Sequence, residues 1–295
     1  RTHKPGVGGS NPPLATKIFY LYMNNISIFC LTLNPAHEEA IKKLSFIPVG
    51  LGNKKFSNNF LTDKEGINIS YKNQFYGEYT FHYWVWKNYL SKIKTEWVGF
   101  CQYRKFFVKK IISTKNLSLD DLKDALIYEV NDQNNNFDSL LGCKFSVQNY
   151  KLSKILKHHF FHFFTNPDLF YNKKKRNLKL HFDLFHGKGN LDLAIDLLEE
   201  KDKNDFRYFM NNENSLNPHN MFFCKTEFLN EYYKTIFPWL EKCEKIFGFD
   251  DLKGYGLQRI YGFLAERFLS YWFIKNSNHK EAPIIIKDLS DYKNL

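Results

Sequence analysis

Residues 97–107 read Trp97-Val98-Gly99-Phe100-Cys101-Gln102-Tyr103-Arg104-Lys105-Phe106-Phe107. The first five are apolar without alternation, as in a strand covered on both faces, which is typical of a parallel sheet flanked by helices. Upstream, Ile26 to Leu33 is a second short apolar run, ended by Asn34-Pro35. Pro35 to Leu44 has helix-forming composition, with proline tolerated in the first turn. Residues 46–52 return to extended chain and end in glycines, and Asn53 to Tyr71 is a polar loop. Residues 73–93 are expected to form one amphipathic helix, with Tyr79, Tyr83, Trp86 and Leu90 on one face.

Downstream, residues 119–130, 145–164 and 191–200 have helical composition, around a polar loop at 131–136 and a basic run from Lys173 to Arg176. Met221 to Cys224 is a third buried strand, and 226–247 and 256–275 are two long helices. Strands alternating with helices predict an α/β fold with a mainly parallel sheet and a helical C-terminal portion, in one domain.

Composition narrows the class. Hydrophobic residues are 43% and charged residues 25% of 295, which are globular proportions. No apolar run approaches the roughly 18 residues of a membrane span. The five cysteines are scattered with no CxxC spacing, so reduced, buried thiols are expected rather than a disulfide framework or a zinc site. A net charge of +11 suits anionic partners, although an A/T-rich codon bias toward lysine explains much of it. Only six arginines occur, which makes Arg104, Arg259 and Arg267 informative, because a planar guanidinium suits phosphate and carboxylate. Residues 1–16 lack the bias of the rest and carry no signal-peptide pattern; residues 1–22 are expected to be a non-native or disordered extension, and the native domain to start near Met23 and run to 295.

In open α/β sheets, ligands bind beyond the carboxyl ends of the strands. That rule selects Thr32, then Gln102, Arg104 and Lys105, and the segment holding His219 and Asn220 before the third strand. Asp63, Asn68, Ser70, Asn73 and Glu78 gather ahead of a helix start, where such side chains either meet a ligand or cap the helix. Glu266 shares a helix face with Arg259, where apolar neighbours would raise its pKa toward that of a base, unless it pairs with an arginine. His158, His159, His162, His181 and His186 have no carboxylate at ligand spacing, so no metal ligand is assigned. There is no P-loop, GxGxxG, GxSxG or HExxH, and no two aspartates are separated by one residue.

Four blocks carry a resemblance: IPVGLG at 47–52 with DKEGINISYKNQFYGEYTFHYWVWKN at 63–88, WVGFCQYRKFF at 97–107, HNMFFCKTEFLNEYYKTIFPWL at 219–240 and RIYGFLAERFL at 259–269. In this order they resemble the bacterial capsular and exopolysaccharide glycosyltransferase family catalogued as a domain of unknown function. The resemblance implies a GT-A (Rossmann-like) transferase that moves a sugar from a nucleotide-sugar to a growing capsular, exopolysaccharide or lipopolysaccharide glycan. It makes Thr32, Asp63, Asn68, Ser70, Asn73, Gln102 and Lys105 donor contacts. Glu266, Glu78 and Arg104 become catalytic candidates, with His219, Asn220, Arg259 and Arg267 for acceptor or diphosphate. Where the family has His-Tyr-Arg-Arg, this chain has Gln102-Tyr103-Arg104-Lys105, which keeps the cations and removes the histidine. Many GT-A enzymes hold Mg or Mn on an Asp-x-Asp pair. Here the pair is missing, so no cofactor is firmly implied, a divalent cation (Mg or Mn) stays open, and metal-independent or weakly metal-dependent transfer is expected. A glycan or lipid-linked acceptor implies a cytoplasmic protein, with peripheral contact at the inner membrane face open to it; the basic run at 173–176 is either that contact or an exposed loop of solvated lysines. Two other classes stay open: a basic nucleic-acid-binding protein, opposed by aromatics at core spacing, and a sugar-binding module without catalysis.

Overall fold

The computed structural model describes residues 25–130, 137–149 and 176–292. The extension at 1–22, most of the helix expected at 145–164, the loop at 131–136 and Lys173 to Lys175 lie outside the described residues.

The chain begins with β1 (Ile26–Thr32), buried at all seven positions. A 3-10 turn capped by Asn34 leads into α1 (Glu38–Lys43), β2 (Ile47–Gly50) and β3 (Leu61–Thr62). Then come α2 (Asn73–Tyr76), α3 (Tyr79–Trp84), β4 (Trp97–Gln102), β5 (Lys105–Phe107) and α4 (Leu119–Ala125). After β6 (Ser139–Gly142) and β7 (Phe145–Ser146), a helical layer follows: α5 (Leu178–His186), α6 (Asn190–Asp196) and α7 (Glu200–Asn212). The chain continues through β8 (Ser215–Leu216), β9 (Phe222–Lys225), α8 (Thr226–Phe247), α9 (Tyr255–Gln258) and α10 (Ile260–Asn276). It closes with β10 (His279–Ala282) and β11 (Ile284–Ile286).

Among the described residues one sheet runs β10-β6-β9-β4-β1-β2-β3, with β5 turning back from the end of β4 and β11 pairing with β5. The pairs β1/β2, β1/β4, β2/β3 and β6/β10 are parallel. β9 runs antiparallel between β4 and β6. The strand order turns back between β1 and β4, since β2 and β3 grow outward on one side of β1 and β4 pairs on the other. That reversal is the switch point at which such sheets open a crevice.

The pleat divides the core in two. Phe29 and Leu31 of β1 face one layer with Tyr79, Phe100 and Phe222. Ile28 and Cys30 face the other with Trp97, Cys101 and Phe106. Each such large apolar side chain stabilises the fold by roughly 1.5–3 kcal/mol. Two buried tyrosine pairings tie this layer together: the Tyr79 and Tyr232 hydroxyls lie 2.6 Å apart, and His82 Nδ1 is 2.7 Å from the Tyr233 hydroxyl. No helix of the described residues is long and apolar enough to cross a membrane.

Several expectations need correction. The single helix expected over 73–93 is interrupted at Gly77, whose φ of 58° lies in the left-handed region that glycine tolerates. A Cβ there would stand 2.2 Å from Arg259 Nη2, so the break also makes room for that guanidinium. After α3 the chain widens into a π turn at Val85–Tyr89 and tightens into 3-10 at Leu90–Lys92. The helix expected at 119–130 stops at Ala125, because Leu126 bridges Val108 in extended conformation. Phe145 and Ser146 pair with β8 as strand instead of opening a helix. The segment 191–200 splits into the end of α6 and the start of α7, and 256–275 is divided at Arg259. All five thiols are free; Cys143 is exposed where burial was expected. Arg176, expected on a basic surface, is buried and donates to the Gln148 carbonyl at 2.9 Å.

Candidate active site

The carboxyl ends of β1 and β4 and the amino end of β9 meet at one edge, because β9 is antiparallel and Phe222 pairs with Phe100. A cavity of about 260 Å³ opens there. Thr32 comes from β1, Gln102, Arg104 and Lys105 from the β4–β5 turn, and His219 and Asn220 from the turn before β9. Asn73, Gly77 and Glu78 come from the interrupted helix. The opposite wall is α10 with the residue before it: Arg259, Gly262, Phe263 and Glu266 at one-turn spacing.

Glu78, placed by the break at Gly77, is the hub. Its Oε1 accepts from Gln102 Nε2 at 3.0 Å and Asn220 Nδ2 at 3.2 Å, and its Oε2 faces Arg259 Nη2 at 3.5 Å. Glu266 is the second carboxylate. Its Oε1 takes the backbone N–H of His219 at 2.7 Å and its Oε2 pairs with Arg267 Nη1. The arginine partner weighed from the sequence is therefore present, in place of a purely apolar surround. Arg267 itself is buried behind Glu266, reaches back to His181 Nδ1 at 3.2 Å and does not line the cavity.

His219 and Asn220 both hold positive φ, 81° and 52°, which costs free energy in non-glycine residues and persists where the surroundings fix it. Here Glu266 fixes the His219 amide, and Gln102 Nε2 donates to the His219 carbonyl at 3.0 Å. The His219 ring lies 3.0 Å from Lys105 Nζ through Nδ1. Burial first, and then the Lys105 charge, pull its pKa down to about 4, so the ring is neutral at pH 7 and Nδ1 accepts from the ammonium. Burial, opposed by Glu78 and reinforced by Arg104, also lowers the Lys105 pKa. Arg104 is exposed at the rim, with its guanidinium 5.6 Å from the Tyr103 ring centre.

Asn220 has a fixed orientation. Its Nδ2 serves two acceptors, Glu78 Oε1 and the Gly262 carbonyl, the latter at 3.2 Å. Its Oδ1 is buried without a partner among the described residues.

The remaining candidates divide between the cavity and other places. Thr32 lines the cavity, but its hydroxyl accepts from the Asn34 amide at 3.0 Å and meets His37 Nδ1 at 2.8 Å. Asp63, just past β3, is fully buried and does not line the cavity. Among the described residues its oxygens have no well-formed hydrogen bond, the Thr80 hydroxyl donating to the Gly77 carbonyl at 3.1 Å, and burial raises its pKa against a weaker opposing effect of Thr80. Asn68 shapes its own turn: Nδ2 donates to the Lys64 and Gly66 carbonyls, and Oδ1 accepts the Ser70 amide and hydroxyl. Asn68 and Ser70 are thus absent from the cavity. Asn73 is present, its Nδ2 bonding the Gly77 carbonyl at 3.0 Å. Sequence reasoning passed over Gly77, Phe263 and Tyr255, which also line the cavity. In a chain with 30 Phe and 18 Tyr, an aromatic residue by itself gives no signal.

Against known proteins, a solved structure described as the apo form of the bifunctional glycosyltransferase WbbM superposes with a TM-score of 0.61 at 20% identity. The superposition covers 90% of this chain and 45% of that one, so this chain spans less than half its length. No curated protein matches the chain. The likeness concerns the fold, a GT-A-like α/β sheet flanked by helices. A family model described as a domain of unknown function, DUF4422, matches residues 30–278, from within β1 to the residue before β10. The match takes in every wall of the cavity, and the chain belongs to the DUF4422 family.

Proposed function

We propose that the protein is a glycosyltransferase that moves a sugar from a nucleotide-sugar to a glycan or lipid-linked glycan acceptor in bacterial surface-polysaccharide assembly. The observation that carries this is the cavity's composition. Arg104, Lys105 and Arg259 stand in one cavity with two carboxylates, Glu78 and Glu266. Transfer from a nucleotide-sugar calls for both, cations for the diphosphate and a carboxylate for the acceptor hydroxyl's proton. The GT-A-like fold of the structural neighbour supports the same activity.

In this scheme the diphosphate meets Arg104, Lys105 and Arg259 as its bond to the anomeric carbon breaks, and these cations stabilise the developing charge. The acceptor hydroxyl oxygen forms the new bond and its proton passes to a carboxylate. Glu266 is the first candidate. A carboxylate has about four acceptor sites, and Glu266 uses two of them where Glu78 uses three. His219 ranks third, since its Nδ1 already accepts from Lys105.

A divalent cation suits these residues poorly. Both carboxylates are held by hydrogen-bond donors and arginines, and two more cations, Arg104 and Lys105, line the space. Among the described residues, no three His, Cys, Asp or Glu side chains converge. We therefore expect neutralisation by side chains alone. A panel of nucleotide-sugars, read by thermal shift and by release of nucleoside diphosphate, tests the scheme. Stabilisation by at least one donor and turnover that survives EDTA are expected. Failure of every donor to bind would remove the proposal, and rescue of an EDTA-inactivated enzyme by Mg or Mn would remove its metal-independent form.

A further inference from the structure

Tyr255, the first residue of α9, is 69% exposed and lines the cavity mouth. Its ring is displayed from a fixed backbone. A Cβ on the next residue, Gly256, would fall 2.0 Å from the Phe185 carbonyl oxygen, so α9 lies directly on the end of α5. His186 Nδ1 donates to the Gly256 carbonyl at 3.0 Å and fastens that contact. The Tyr255 ring meets Phe263 edge-on, with centroids 5.8 Å apart at 72°. Phe263 is backed by the His186 ring, stacked at 4.0 Å and 27°. Other tyrosines, such as Tyr71 and Tyr208, are equally exposed, but neither lines this cavity.

An aromatic ring held rigidly at the mouth of a polar cavity contributes little burial to folding and is free to contact a ligand. The C–H face of a pyranose is apolar and packs on such a ring, while its hydroxyls reach the polar groups around it. The Arg259 guanidinium lies 5.7 Å from the Tyr255 ring centre, so the ring stands next to the cation assigned to the diphosphate, and an acceptor sugar would lie along the wall from there toward Glu266. Arg259, Phe263 and Glu266 follow at i, i+4 and i+7, so the carboxylate assigned as base and the aromatic pair share one wall. A sugar whose hydroxyl gives its proton to Glu266 must lie along that wall. The nucleotide belongs at the β1/β4 switch point, toward Thr32, Leu33 and Leu51.

We propose that Tyr255, supported by Phe263, is the stacking platform for a pyranose ring of the acceptor glycan. The proposal rests on the transferase assignment above and on Glu266 as its base.

Saturation-transfer NMR tests it with methyl α- and β-pyranosides of glucose, galactose, mannose and N-acetylglucosamine. Uridine, guanosine and deoxythymidine diphosphates are titrated in parallel. At least one glycoside should bind the wild type, Tyr255→Ala should weaken it about fivefold to tenfold, and Tyr255→Trp should restore it. Nucleoside-diphosphate affinity should be the same in all three proteins. Glycoside binding indifferent to Tyr255→Ala, or absent from the wild type, overturns the proposal. So does a loss of nucleoside-diphosphate affinity in Tyr255→Ala, which would make the ring a base platform. Tyr255-dependent glycoside binding without any nucleotide binding would leave the platform standing and remove the transferase assignment. Nucleotide binding without Tyr255-dependent glycoside binding would do the reverse.

Discussion

The loop from Asp63 to Glu78 and the stretch from Tyr255 to Glu266 are both rich in groups that bind sugars and phosphates, and they put them to different uses. In the first, Asn68 and Ser70 bond to each other and to nearby backbone, and Asp63 is buried out of reach of the cavity. Only Asn73, Gly77 and Glu78, at the helix break, face the cavity. In the second, a residue from almost every turn reaches it. Short polar side chains in a loop find backbone partners within two to four residues. Side chains on a helix have their own backbone satisfied and project at 3.6-residue intervals, so one face can serve a ligand as a set.

If the helical wall carries the chemistry, its variants should separate from those of the loop. Glu266→Gln should lower turnover about 10²- to 10⁴-fold with donor binding intact. Single-turnover kinetics with a radiolabelled donor measures this, and near-normal turnover would transfer the base role to Glu78.

The same wall should be acid-sensitive, together with His82 of α3, whose pKa burial pulls down to about 3. His181 and His186 stand behind the wall, and burial, then the Arg267 charge, hold their pKa values down to about 2 and about 3. Each is neutral in the folded protein and protonates near 6.5 when unfolded. The unfolded state therefore binds more protons below pH 6.5, and stability falls as pH drops from 6.5 toward about 3. The slope is roughly 1.4 kcal/mol per pH unit for each histidine. Urea midpoints at pH 7 and pH 5 should show the loss, and equal midpoints would contradict the buried, neutral assignment.

A smaller effect distinguishes the cations. Arg259→Ala should weaken nucleoside-diphosphate binding roughly 10- to 100-fold by calorimetry, as expected for charge-assisted contacts. An unchanged affinity would leave Arg104 and Lys105 as the diphosphate groups. The smallest effect belongs to the loop. Asn68→Ala should cost about 0.5–1.5 kcal/mol of stability through its lost turn bonds and leave donor affinity within about twofold. A large affinity loss with little change in melting temperature would return the loop to the site.

The strands of the central sheet were legible because burial on both faces forces an unbroken apolar run, as in Ile26–Thr32 and Trp97–Cys101. β3, β5, β6, β10 and β11 were passed over. His279–Ala282 carries Lys280 and Glu281 at a sheet edge, and Leu61–Thr62 is two residues long, so neither has an apolar run to find. Ten of the fourteen site candidates line the cavity, and the exceptions each found a local alternative. Asn68 and Ser70 closed a turn, Arg267 moved behind Glu266, and Asp63 was enclosed.

From the sequence alone came the α/β class, the strand that delivers Gln102, Arg104 and Lys105, and the helix face shared by Arg259 and Glu266, because these depend on apolar runs and helical repeat within one short segment. Only the tertiary structure decided that β9 runs antiparallel, which brings His219 and Asn220 to the edge occupied by Thr32 and Arg104. It also decided that Gly77 opens the chain for Arg259, a contact between residues 182 positions apart, and that Tyr255 stands at the mouth. Those placements are set by packing between distant segments, and no local pattern of residues records them.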